Sequence, residues 1–202
     1  MSDAVNDGLS GLAESLRVPV SIAVAILLAL LAFELGRLAI EAWRRLKPRA
    51  PRLEDVAKRA LNESDTVDKL ARRAPSPLAE RAVQDLAAAA HSGDRDAVEH
   101  ALADYELGVQ RRLDRTRMLV RAGPALGLMG TLIPLAPGLS ALGDGDFATL
   151  AGDLKVAFAA TVLGILVGTG AFALTLIRTR LYTEDLASLE RAVAARYPEQ
   201  TA

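Results

Sequence analysis

The sequence contains no cysteine, which excludes disulfide frameworks, zinc–thiolate sites, iron–sulfur clusters and cysteine nucleophiles. Histidine is almost as scarce. His91 and His100 are the only two, too few to build a histidine metal site, and no metal is expected. Charge of either sign is not in excess either. Twenty-four Lys/Arg against 25 Asp/Glu leave a formal net charge of −1, which argues against a nucleic-acid partner. No P-loop, nucleophile–histidine pair or paired-carboxylate arrangement is present, and there is no internal repeat or low-complexity tract. The chain is therefore not expected to be an enzyme or to carry a cofactor.

What it does have is apolar residue, 51% of 202 positions, gathered into three long stretches. Most of the basic residues lie between the first and second of these. Such segregation fits a membrane protein with a charged region outside the bilayer. The first stretch, 18–40, has 23 residues, or about 35 Å of helix. That exceeds the hydrocarbon core of roughly 30 Å. Its leading flank holds Asp3, Asp7 and Glu14 against a lone Arg17, so it lacks the basic flank of a signal peptide. It reads as an uncleaved span behind an extracytoplasmic segment, 1–17. Near its end, Glu34, Arg37 and Glu41 share a helix face and suggest an ion-pair ladder at headgroup level.

Residues 41–121 form a polar, helical region. Pro48 and Pro51 mark one break, and Pro75-Ser76-Pro77 a second. Leu78 to Ala90 has helical composition, and Ser92-Gly93-Asp94 reads as a turn that caps the next helix. That helix starts near Arg95 and meets no proline through Arg121, so it should rise directly into the second span, 122–142. The second span contains Pro124, Pro134 and Pro137, tolerated in a bilayer where neighbours satisfy the freed carbonyls. A loop at 143–153 leads to the third span, 154–177, and a C-terminal amphipathic helix occupies 178–202. Arginines and lysines flank the ends of the spans that meet 41–121 and 178–202, whereas the loop holds Asp144, Asp146 and Asp153. The positive-inside rule thus places the N-terminus and the loop outside and the C-terminus in the cytoplasm, in a multi-pass inner-membrane protein.

Small residues recur along one face of each later span. The second shows Pro124, Gly127, Thr131, Pro134 and Gly138; the third shows Ala157, Thr161, Gly164, Gly168, Ala171 and Thr175. In lipid such stripes let helices approach closely, so they should face other helices or a pore. A plainer role is open to Thr131 and Thr161, whose hydroxyls could simply bond a carbonyl one turn back. Neither span holds a carboxylate at mid-depth.

The run Gly123-Pro124-Ala125-Leu126-Gly127-Leu128-Met129-Gly130-Thr131-Leu132-Ile133 resembles the third-helix motif of the MotA/TolQ/ExbB proton channel family, roughly A-P-x-x-G-x-x-G-T-(V/L). Ala159-Ala160-Thr161-Val162-Leu163-Gly164-Ile165 is similar to the motif of the following helix, (A/T)-T-x-x-G-(L/I). Three spans bring the chain closer to the TolQ/ExbB branch than to the four-span flagellar subunits. The departures are Pro134 and Pro137 after the Gly-Thr pair, and Val156 where ExbB has a carboxylate. The resemblance implies an all-α ring, a homopentamer, around a single-span MotB/TolR/ExbD-like partner with an intramembrane aspartate. It further implies that Thr131 and Thr161 line a proton path, with Pro124, Gly127, Gly130, Pro134, Gly164 and Gly168 on the helix-contact or pore face. The implied function is an ion-driven motor that turns proton motive force into mechanical work. The rival readings are a non-conducting membrane scaffold and, less favoured for want of an inverted repeat or a midplane charge, a small-solute transporter subunit.

Overall fold

The computed structural model describes residues 2–47 and 51–198, with side chains from residue 15 onward except residue 17. Among the described residues every element is helical. In chain order these are α1 (Ser2–Leu46), α2 (Leu53–Asn62), α3 (Val67–Ala71), α4 (Pro77–Ser92), α5 (Arg95–Gly143) and α6 (Phe147–Arg196), with a single 3-10 turn at Ser64–Thr66 before α3. The break expected at Pro48 lies outside the described residues.

Three of the helices, α1, α5 and α6, are long and apolar enough to cross a membrane. Their apolar side chains are largely turned outward. Leu128, Leu132, Phe158, Val162 and Phe172 are all exposed, as lipid-facing residues are and as core residues of a water-soluble bundle are not. The chain is an all-helical multi-pass membrane protein.

Two compact units divide the chain: Met1–Leu35 with Arg115–Thr175, and Gly36–Asp114 with Leu176–Ala202. In the first, apolar unit, Leu31 of α1 packs with Leu119, Val167 and Ala171. The second, polar unit has a core in which Leu61, Val83, Leu86, Val98, Tyr105 and Leu189 meet. Alanine makes this core possible. Ala79, Ala82, Ala87 and Ala90 line the inner face of α4 and let neighbouring helices come close at little cost in side-chain entropy.

The connections follow from local chemistry. Ser76 accepts a hydrogen bond from the Ala79 amide at 3.1 Å, and Pro77 occupies the first turn of α4. Gly93 stops α4 with φ 75°, a left-handed conformation that a side chain resists. Asp94 then caps α5 through the amides of Asp96 and Ala97. The long uninterrupted helix expected from Arg95 is present and continues to Gly143 through three prolines. α6 is also unbroken, so the third apolar stretch and the amphipathic tail are one helix. Helices α2 and α3 answer to no pattern singled out in the sequence.

Candidate functional site

The two small-residue stripes meet each other. Gly123 and Gly127 on α5 lie against Gly164 and Gly168 on α6, so closely that a β-carbon on Gly164 would come within 2.6 Å of both the Gly123 carbonyl oxygen and the Gly127 Cα. One on Gly168 would lie 2.8 Å from the Pro124 ring, and one on Gly130 only 2.6 Å from the Ala160 Cβ. Backbone meets backbone along this seam. The absence of side chains there is what allows dispersion contacts to form between helices in lipid, where hydrophobic burial contributes little.

The seam also sets the level of the two threonines. Gly130 and Ala160 are in contact, and Thr131 and Thr161 are the residues that follow them on antiparallel helices. Both side chains are half-buried. Thr131 donates to the Leu128 carbonyl at 2.7 Å, a firm bond; Thr161 donates to the Ala157 carbonyl at 3.4 Å, at the limit of one. Proline adds polar groups at this depth. Pro134 has no amide hydrogen for the Gly130 carbonyl, and Pro137 has none for that of Ile133. A groove of about 160 Å³ lined by Val20, Val24, Gly130, Pro134, Ala160 and Leu163 runs beside them. Its wall is apolar apart from Ser21.

Of the remaining residues singled out in the sequence, Pro124 is exposed, whereas Gly127, Pro134, Gly164 and Gly168 are buried. His91 and His100 are exposed, and among the described residues no group of three or more His, Asp or Glu converges as a metal site would require. Asp153, assigned by the sequence to the loop at 143–153, lies instead within α6, which starts at Phe147, and is buried at 7% exposure near Gly138. Neighbouring Asp146 caps α6, accepting from the amides of Ala148 and Thr149 and from the Thr149 hydroxyl. The Thr149 bonds hold its carboxyl below the usual range.

The polar unit contains an ion network that sequence reasoning missed. Arg45 reaches Asp185 with two bonds, 2.9 and 2.6 Å, and Glu41 with one of 3.2 Å. Burial works against the Arg45 charge, but Asp185 and Glu41 outweigh it and hold the guanidinium more firmly protonated than usual. Burial pushes the Asp185 carboxyl up in spite of that partner. A separation of 140 residues hides this pair from any local pattern. Farther along, Glu54 binds Lys58 at 2.7 Å and Arg191 at 2.9 Å, and these bonds depress its carboxyl. Because the folded value is the lower one, this link persists above the ordinary carboxylate range and is lost as pH falls through the depressed value.

Searches of curated proteins and of solved structures returned no match. The profile of the MotA/TolQ/ExbB proton channel family does match, over residues 59–190. That interval includes α4, the whole of α5 and most of α6, with both threonines and the seam glycines Gly123, Gly127, Gly130, Gly164 and Gly168. With more than half of its length in the match, this chain belongs to the MotA/TolQ/ExbB proton channel family.

Proposed function

We propose that the chain is the multi-span subunit of a proton-driven motor in the inner membrane, with the N-terminus outside and the polar unit and C-terminus in the cytoplasm. It assembles as a homopentameric ring around a single-span partner that presents one aspartate at the depth of Thr131 and Thr161. The observation that carries this reading is the pair of threonines at one level of a hairpin whose spans hold no carboxylate of their own. The acid must then come from elsewhere.

The physics of such a site is simple. An isolated carboxylate in a bilayer costs several kcal/mol when ionised, so its pKa rises and it can cycle between charge states. A threonine hydroxyl donates to the ionised form and accepts from the protonated one, at about 1 kcal/mol per bond. The membrane potential supplies about 2.3 kcal/mol per proton for each 100 mV. The chain itself makes and breaks no covalent bond; its part is to position and to move. The scaffold reading keeps one observation in its favour, since both hydroxyls already have a carbonyl acceptor on their own helix.

Proteoliposomes separate the two. Vesicles holding this chain alone should be proton-tight, and vesicles holding it with the partner should acidify when a potassium diffusion potential is imposed. Replacing the partner's aspartate with asparagine should return them to the tight state. Conduction by this chain alone would overturn the division of labour.

Topology has its own test, made clean by the lack of native cysteine. In spheroplasts an impermeant thiol reagent should label Ala148→Cys and leave Ser92→Cys untouched. The reverse pattern would invert the orientation.

A further inference from the structure

A second concavity has no part in the proton path. In the polar unit, a cavity of about 1070 Å³ opens between the end of α1, the start of α2, the turn before α4, and α6. Arg44, Arg45, Lys47, Arg52, Arg72 and Arg73 all line it. Three carboxylates share the wall, but each is engaged: Glu54 by Lys58 and Arg191, Asp185 by Arg45, and Glu184 by Arg180. Arg44, Arg52, Arg72 and Arg73 form no ion pair among the described residues. The buried Nε of Arg45 likewise has no acceptor there. A recess lined with surplus charge of one sign focuses its field and draws an anion.

The depth of the recess narrows the choice of anion. With the first span as the sequence gives it, 18–40, Arg44 lies four residues beyond its end on the same unbroken helix, or about 6 Å along the axis. That is the headgroup layer. Trp43 is 65% exposed, and the Lys47 ammonium sits 4.5 Å over its ring. An exposed tryptophan beside a reaching lysine is the pairing expected at a membrane–water boundary. Ile40, 58% exposed on the same helix, offers apolar surface to a lipid tail.

We propose that this recess binds the phosphate-bearing headgroup of an anionic phospholipid from the adjacent leaflet. Guanidinium forks match phosphate oxygens in pairs, and Arg72 and Arg73, from the turn before α4, line the same recess as Arg44 and Lys47 from the end of α1. A soluble phosphate shares the charge but not the acyl chains. The proposal rests on the membrane span assigned to α1, though not on which leaflet faces the polar unit.

The test is a lipid titration of the full chain in mild detergent, read by native mass spectrometry. Wild type should retain phosphatidylglycerol in preference to phosphatidylcholine. Arg72→Gln/Arg73→Gln should weaken that retention roughly thirtyfold, as expected for two basic groups near a lipid phosphate. Arg81→Gln/Arg111→Gln removes the same charge from exposed sites outside the cavity and should leave retention unchanged. Since Arg72 and Arg73 are themselves exposed, their loss should leave the thermal melt in place. Equal phosphatidylglycerol retention by wild type and Arg72→Gln/Arg73→Gln would overturn the proposal. Displacement of the lipid by an equal concentration of inorganic phosphate would assign the recess to a soluble anion and overturn the lipid assignment. A failed span is read separately, as release of the chain from membranes by alkaline carbonate.

Discussion

Gly164→Ala should destabilise the protein by about 3 kcal/mol, the upper end of what overpacking a close contact costs. One methyl group is enough. The added β-carbon would lie 2.6 Å from the Gly123 carbonyl oxygen and 2.6 Å from the Gly127 Cα, and both neighbours are backbone, unable to rotate away. The same substitution in an unencumbered helix raises stability by up to about 1 kcal/mol, because alanine favours the helix over glycine. Gly152, also in α6, has nothing within 4 Å of where its β-carbon would stand. Gly152→Ala should therefore be neutral or slightly stabilising, and the opposite signs are the diagnostic. Thermal unfolding in detergent, followed by circular dichroism, reads both. If the two variants melt together, the α5–α6 seam is not held by glycine contact.

Thr161→Val should leave folding and assembly intact and lower proton flux about tenfold, the equivalent of one or two lost bonds of about 1 kcal/mol in the rate-limiting step. Valine keeps the volume and removes the hydroxyl. The 3.4 Å contact to Ala157 is weak enough that its loss costs the fold little, and weak enough for the hydroxyl to turn toward an incoming carboxylate. Thr131 is held more tightly, at 2.7 Å from Leu128, so Thr131→Val alone should have the smaller effect on flux. Thr161→Ser restores the hydroxyl and should restore most of the rate. Flux is followed with a pH-sensitive dye in proteoliposomes holding both subunits. Wild-type flux from the Thr131→Val/Thr161→Val double variant would put the scaffold reading ahead.

The membrane-spanning half of the molecule is written in its sequence at short range. Apolar length gives the spans, and small residues at every third or fourth position mark the faces that α5 and α6 turn toward each other. The polar half is different. Helix α3, five residues long, is too short for a periodic pattern to stand out. Helix α2 does carry one, with Leu53, Val56, Ala57, Ala60 and Leu61 on a single face, in a stretch that Pro48 and Pro51 mark as a break. Arg45 and Asp185 are each unremarkable locally, and only the fold reveals that they share a partly buried bond. The cationic recess is a mixed case. Arg44, Lys47 and Arg52 follow the first span and serve the positive-inside rule, whereas Arg72 and Arg73 join them only because α2 and α3 fold back. Asp153 shows the converse error. Its charge assigns it to the loop, yet it lies in α6 beside Gly138.

The tight turn between α5 and α6 has a consequence for the order in which the chain assembles. Gly145, at φ 80°, and the Asp146 cap reverse the chain within a few residues. Gly130 and Ala160 are thirty positions apart (130 to 160) and Gly123 and Gly164 forty-one (123 to 164), so the seam is local by the standards of membrane folding. Leu31 of α1 reaches Gly170 only across 139 positions (31 to 170). Closing the short loop costs less entropy than closing the long one. The α5–α6 hairpin should thus be complete as soon as both helices have left the insertion machinery, and α1, inserted first, should wait in the bilayer and dock last.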